Sequence, residues 1–259
     1  MVSTRRIAGL LFAAVAARAL PGEISQDGSA RGGPMVVDAP ITPPTSCAAG
    51  VQIFVVRGST EPSHMGRIAP VATSIRDAVP GSFITALDYP AKINAAEYFF
   101  SVHRGVSRLA KLVRDYVKMC PQGKIALVGY SQGAHVVGDL VCGASSLPLY
   151  RSKPLDPVYN KNIIASLQFG DPSRRANQTW NVGTVTDRNG YFPRQRNKPC
   201  GPYSEAMRSW CDEKDRWCDK KSPTGTDREV HKKYQIKYKD AAADFVKKQW
   251  ESSQKPLGS

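Results

Sequence analysis

The sequence predicts an α/β fold: a five-stranded parallel β-sheet covered by helices on both faces. Three observations predict it. Residues 51–56, with a β-branched bias, and residues 125–128 and 163–169 are largely apolar runs, the pattern of strands buried on both faces. Between them, apolar residues recur at helical spacing with charged residues on the opposite side. Strand-length and helix-length segments alternate along the chain, as parallel strands joined by helical crossovers require.

Taken in order, residues 51–56 (Val-Gln-Ile-Phe-Val-Val) form the first strand. Ile68, Val71, Ala72, Ile75 and Val79 mark one face of the first helix, and residues 83–87 form the second strand. Val106, Leu109, Ala110, Val113, Tyr116 and Val117 line one face of a long helix, with Arg104, Arg108, Lys111 and Lys118 on the other. The third strand, 125–128, runs into Gly129-Tyr130-Ser131-Gln132-Gly133, and residues 134–141 read as a helix leaving it. The fourth strand, 163–169, ends at Gly170-Asp171-Pro172. A weak fifth strand leads into Cys211, and Ala241, Ala242, Phe245, Val246 and Trp250 mark a last amphipathic helix. No internal repeat is visible, and nothing marks a second domain.

The chain has 259 residues, enough for one α/β domain with a sizeable core. Its first residues read as a targeting segment. Arg5 and Arg6 form a charged start, residues 7–17 an apolar run, and Ala17-Arg18-Ala19 a small-x-small cleavage site. Residues 1–19 are therefore expected to be a secretory signal peptide, too short to span a bilayer. Residues 20–46, rich in Gly, Pro and small polar residues, are expected to be a disordered or processed leader. The domain occupies 47–252, and 253–259 is a tail.

Secretion decides how the six cysteines read. All follow the signal, and their even number implies three disulfides in an oxidising compartment. Zinc is excluded, since there is no Cys-x-x-Cys and no nearby pair of histidines. Asn177-Gln178-Thr179 is a glycosylation sequon, which places Asn177 on an exposed loop. The formal net charge is +14. The cations spread along helix faces and loops without a nucleic-acid-binding motif, so they read as solvated surface with some attraction for acidic polymers, not as a nucleic-acid site.

The chemistry lies in Gly129-Tyr130-Ser131-Gln132-Gly133. A Gly-x-Ser-x-Gly between a strand and a helix is the nucleophile elbow of α/β-hydrolases. The turn is tight, so small residues are needed two before and two after the serine. It holds the hydroxyl above the sheet at a helix N-terminus, where free N–H groups favour developing negative charge. In this fold the partners follow in the order acid, then histidine. Only His135 and His231 come after Ser131. His135 shares the elbow helix and reads as a packing or surface residue. His231 lies in a polar loop before the last helix, where a general base can reach over the sheet edge. The acid is sought in Cys211-Asp212-Glu213-Lys214-Asp215-Arg216-Trp217-Cys218. If Cys211 and Cys218 pair, they close a tight loop whose reduced conformational entropy holds a carboxylate in place. By chemistry alone Asp212, Glu213 or Asp215 could serve.

With Arg57-Gly58-Ser59-Thr60-Glu61 after the first strand, the elbow, Gly170-Asp171-Pro172, Cys211-x-x-x-Asp215-x-x-Cys218 and His231, the chain resembles the cutinase and acetylxylan esterase family of secreted serine esterases. The match runs from about Cys47 to Trp250. It implies a single-domain, lidless α/β-hydrolase with Ser131 as nucleophile, His231 as base and Asp215 as the orienting acid. It implies an oxyanion hole made by the N–H and hydroxyl of Ser59 and the N–H of Gln132. It implies the pairs Cys47–Cys120, tying the start of the first strand to the strand that carries the elbow, and Cys211–Cys218, which leaves Cys142 and Cys200 to each other. No metal or organic cofactor is required. Within the family, cutinases carry apolar residues around the catalytic histidine and acetylxylan esterases small polar ones. The stretch 220–233 is polar, and Trp180-Asn181-Val182-Gly183-Thr184 and the third cysteine pair resemble the acetylxylan esterase branch. The expected substrate is thus an acetyl or other short acyl ester on xylan in the plant cell wall, taken by a monomer. The alternatives are a cutinase acting on cutin-type polyesters and a non-catalytic secreted binding or effector protein on the same fold.

Overall fold

The computed structural model describes residues 42–146, 150–194, 200–223 and 228–255. The expected signal peptide, residues 20–41 of the leader and residues 256–259 of the tail lie outside them.

The first strand, β1 (Val51–Val56), is an interior strand of the sheet, second from one edge. Val51, Ile53, Phe54, Val55 and Val56 have no exposed surface. Burying each such side chain contributes roughly 1.5–3 kcal/mol, which is why so apolar a strand is stable only inside a sheet covered on both faces. Helix α1 (Ala69–Ala78) leads to β2 (Phe83–Ala86) on one side of β1. Helix α2 (Ala95–Met119) leads to β3 (Lys124–Tyr130) on the other. Helix α3 (Gln132–Cys142) follows at once, and a short antiparallel ribbon of β4 (Ala144–Ser146) and β5 (Tyr150–Ser152) precedes β6 (Ile163–Phe169). Then come β7 (Asn181–Gly183), β8 (Met207–Cys211), the helical turns α4 (Arg228–His231) and α5 (Tyr234–Lys237), and α6 (Lys239–Ser253).

The main sheet has the order β2-β1-β3-β6-β8-β7, and every pairing is parallel. Alternate residues of the central strands feed two cores. Val51, Ile53, Val55, Ala126 and Val128 pack with Val71, Ile75 and Val246 of α1 and α6. Phe54, Val56, Ile125 and Leu127 pack with Leu109, Val113, Val137 and Leu140 of α2 and α3. The predicted α/β class is therefore the observed one.

Three details differ from expectation. The sheet has six strands, not five. The extra one, β7, is three residues long and contains Asn and Gly, so it has no apolar run to announce it. It forms because β8 offers an open edge, pairing Asn181 with Ser209, Val182 with Trp210 and Gly183 with Cys211. His231 closes a helical turn instead of lying in a loop. Cys120 sits at the C-terminal cap of α2, four residues before β3, so its disulfide ties the lead into β1 to a helix end. The three cysteine pairs themselves are Cys47–Cys120, Cys142–Cys200 and Cys211–Cys218. Among the described residues, no helix is long and apolar enough to cross a membrane.

Candidate active site

The elbow has the backbone its motif demands. Ser131 has φ 54° and ψ −119°, a strained conformation for a residue with a Cβ. Its N–H is held by the Phe169 carbonyl at 2.8 Å. A Cβ on Gly129 would lie 2.4 Å from the Gly133 carbonyl oxygen, and one on Gly133 would lie 2.0 Å from that of Val56. Both glycines are thus fixed by close backbone approach.

Three expected residues meet at the carboxyl ends of β3, β6 and β8, where parallel sheets bind ligands. Ser131 Oγ is 2.9 Å from His231 Nε2, and His231 Nδ1 is 2.8 Å from Asp215 Oδ2. Asp215 is fully buried and His231 is 8% exposed. With a carboxylate at Nδ1, the imidazole carries its proton there and leaves Nε2 free to accept one from Ser131, so the arrangement can activate a serine hydroxyl. Gly170 makes room for the pair. It has φ 62°, and a Cβ there would lie 2.8 Å from His231 Cε1 and 3.1 Å from Asp215 Oδ2.

The structure also separates the three carboxylates that sequence chemistry left equivalent. Asp215 alone reaches His231. Asp212 is turned away, bonded to Lys237 Nζ at 2.8 Å, the Tyr238 hydroxyl at 2.6 Å and the Thr184 N–H at 3.1 Å. Burial works against its ionisation, but these bonds prevail and hold its carboxyl below the usual range. Glu213 is exposed. The Cys211–Cys218 loop winds around Asp215, whose carbonyl accepts from Cys218 and Asp219 N–H and whose Oδ1 accepts from Trp217 N–H. Tyr234, which sequence reasoning passed over, donates its hydroxyl to Asp215 Oδ2 at 2.8 Å.

The loop after β1 is tied from within. Arg57 Nε donates to the Glu61 carbonyl at 3.0 Å, Nη1 to that of Leu87 at 3.2 Å and Nη2 to that of Tyr89 at 2.7 Å. Glu61 Oε2 accepts from Gly58 N–H at 2.8 Å, and Thr60 N–H donates to the Ala91 carbonyl. Ser59 is carried on this loop. The Gln132 side chain, given no task by the sequence, is fully buried: Oε1 accepts from Ser101 Oγ at 3.0 Å and Nε2 donates to the Lys92 carbonyl at 2.6 Å. It fastens the start of α2 beside the elbow.

His135 is a packing histidine, as expected. It is 1% exposed, with Nδ1 3.2 Å from the Tyr98 hydroxyl and Nε2 3.2 Å from Asp139 Oδ2. Beside it lies a buried ion network that sequence reasoning missed. Arg194 Nε donates to Asp139 Oδ1 at 2.7 Å, and Nη1 donates to Asp171 Oδ2 at 2.9 Å. Burial opposes both charges, but mutual attraction wins: Asp171 is held below the usual carboxyl range and Arg194 above the usual guanidinium one. A Cβ on Gly138 would lie 1.9 Å from Arg194 Nη2, so that glycine is the slot for the guanidinium. The legible signal was an aspartate inside an apolar helix, Val-Val-Gly-Asp-Leu-Val. Asn177 is exposed at φ 57°. Among the described residues, no group of three or more His, Cys, Asp or Glu could hold a metal ion.

The cutinase family model matches residues 47–250. Acetylxylan esterase 2 of Talaromyces purpureogenus is 30% identical over 210 residues, covering 78% of this chain and 87% of that protein. Cutinase 11 of Verticillium dahliae is 30% identical over 230 residues, covering 86% and 76%. The catalytic core domain of acetyl xylan esterase from Trichoderma reesei superposes with a TM-score of 0.70 at 30% identity, covering 79% of this chain and all of that one. The chain belongs to the cutinase family and is a serine carboxylic-ester hydrolase.

Proposed function

We propose that this chain is a secreted esterase whose nucleophile is Ser131, and that it removes acetyl or other short acyl groups from a plant cell-wall polysaccharide such as xylan. The observation that carries the reading is the unbroken hydrogen-bonded path from Ser131 Oγ through His231 to Asp215. His231 Nε2 takes the serine proton as Oγ attacks the ester carbonyl. Asp215 fixes the tautomer and stabilises the imidazolium. The N–H and hydroxyl of Ser59 and the N–H of Gln132, at the start of α3, receive the oxyanion. The alcohol leaves with the proton from Nε2, and water resolves the acyl-enzyme by the same steps. Three disulfides suit an oxidising compartment and so support secretion. The relatives named acetylxylan esterase support the substrate.

Acyl-chain selectivity tests the substrate. Each methylene that a pocket buries is worth about 0.8 kcal/mol, roughly fourfold in kcat/KM. The residues flanking His231 include exposed Lys233 and part-exposed Lys232, which offer little apolar cover. Initial rates on p-nitrophenyl esters are therefore expected to fall steadily from acetate to palmitate, with acetate released from acetylated xylan. One observation favours a second reading, a cutin-type polyester: Ile93 and Phe100, on the segment held by Gln132, are 54% and 55% exposed and could take an aliphatic chain. A rate that climbs with chain length, with turnover of a polyester, would select it. A serine-reactive phosphonate separates both from a non-catalytic binding protein, which it would leave unlabelled.

The disulfide around Asp215 is expected to matter for rate more than for melting. In the chain-entropy model a bridge across 7 residues contributes about 2.5 kcal/mol and one across 58 about 4. Cys211→Ser with Cys218→Ser should thus depress kcat, because Asp215 is released. Cys142→Ser with Cys200→Ser should chiefly lower Tm. Measuring both quantities in both double variants checks this, and the reverse pattern would refute it.

A further inference from the structure

We propose that Tyr234 is a positioning residue for the catalytic acid: its hydroxyl holds Asp215 Oδ2 in line with His231 Nδ1 and sets how much of the carboxylate charge the histidine feels. The inference rests on the Ser131–His231–Asp215 reading and adds a fourth member to it. The geometry is specific. Asp215 Oδ2 accepts from both His231 Nδ1 and the Tyr234 hydroxyl, each at 2.8 Å. The Tyr234 oxygen accepts in turn from Asp212 N–H at 2.9 Å, which leaves its own proton to point at Asp215. The side chain is 1% exposed, its ring 6.3 Å from that of His231 at an interplanar angle of 87°. It also starts α5, one turn past His231, so a single short segment delivers both donors to one carboxylate oxygen.

The consequence is chemical. A carboxylate held by one donor can swing about its Cβ–Cγ bond. Asp215 is held at Oδ1 by Trp217 N–H and at Oδ2 by Tyr234, so its plane is fixed before substrate arrives. The tyrosine bond also draws negative charge away from His231. Burial and the Asp215 charge push the Tyr234 phenol well above its ordinary range, so it remains a donor throughout the working pH range. The other titratable groups that face the pair have partners of their own and are unchanged in the Tyr234 variants below. Tyr130, its ring 5.1 Å from His231, faces Glu61 and Arg67. Asp212 is paired with Lys237 and Tyr238, and the buried Arg174 guanidinium, whose charge acts on Tyr234, donates Nη2 to the Val185 carbonyl. Asp219 is bonded to Arg188.

Tyr234→Phe removes the donor and keeps the ring. The kcat for p-nitrophenyl acetate is expected to fall about tenfold with KM within twofold, the size of one lost hydrogen bond to a charged group. The remaining charge on Asp215 then favours the imidazolium more, so the acid limb of kcat/KM should move up by about 0.5–1 pH unit. Tyr238→Phe, which removes a neighbouring hydroxyl bonded to Asp212 instead, should lower Tm without moving the limb. Replacement of Tyr234 by 3-fluorotyrosine keeps the shape and strengthens the donor, so the limb should move down. That variant answers the question even if the phenylalanine one does not fold. A limb that stays put in the folded Tyr234 variants, while Ser131→Ala is inactive, overturns the role of Tyr234 and leaves the triad standing. An active Ser131→Ala overturns both.

Discussion

Replacing Ser131 by alanine is expected to lower kcat by at least about 10³-fold and to leave the fold unchanged. The variant loses one oxygen. That oxygen makes no capping bond to α3, and its bond in the structure is to His231. Alanine keeps the Cβ, so the strain of φ 54° is the same in both proteins and the elbow does not relax. Residual turnover should persist, because the proposed oxyanion donors and substrate binding are untouched, and such groups are worth about 10³–10⁴-fold over water on their own. The measurement is kcat on p-nitrophenyl acetate, with labelling by a serine-reactive phosphonate and a thermal melt on the same preparations. The wild type should take up one label and the variant none, with melting temperatures within a few degrees. A folded variant that keeps near-normal turnover would remove Ser131 from the mechanism.

What was legible in the sequence was local. The largely apolar runs at 51–56 and 163–169 are strands in full, because burial on both faces leaves few polar residues, Gln52, Ser166 and Gln168, to blur the pattern. Gly129 and Gly133 were legible because close backbone approach admits no Cβ, a constraint that shows in the residues themselves, and their spacing marked Ser131 between them. Features made by distant partners were not legible. The strand at Asn181–Gly183 exists because β8 presents an edge, and nothing in its three residues says so. By chemistry alone Asp215 stood level with Asp212 and Glu213; the family resemblance pointed to it, and the physical difference, one turned toward His231 and another toward Lys237, came only with the fold. Tyr234 and Arg194 looked like ordinary residues of a polar chain. Their roles depend on partners 19 to 55 positions away.

Arg194→Met is expected to be among the most destabilising single changes in this protein. Arg194 lies between Asp139 of the elbow helix and Asp171 of the loop after β6, and both carboxylates are fully buried. Removing one partner of a buried ion pair costs about 3–5 kcal/mol, because the charge left behind has neither water nor a counter-ion. For a domain of this size each kcal/mol shifts Tm by about 2–4 °C, so a loss of roughly 6–20 °C is expected at pH 7. The pH dependence carries the diagnosis. In the wild type Asp171 is held below the usual carboxyl range, so its contribution is present above the unfolded value of about 3.9 and is lost as pH falls through the folded one. In the variant the same carboxylate has lost its cation, burial is opposed only by the Ser173 hydrogen bonds and His135, and protonation becomes a relief. The gap in Tm between the two proteins should therefore narrow as pH is lowered from 7 toward 4. Adding Asp139→Asn and Asp171→Asn to the methionine variant removes the stranded charges and should recover part of the lost stability at pH 7. Thermal melts of the three proteins across that pH range make the comparison. A single variant that melts within about 2 °C of the wild type, or a gap that widens on acidification, would mean that the elbow helix is held to the loop by its packing and not by this arginine.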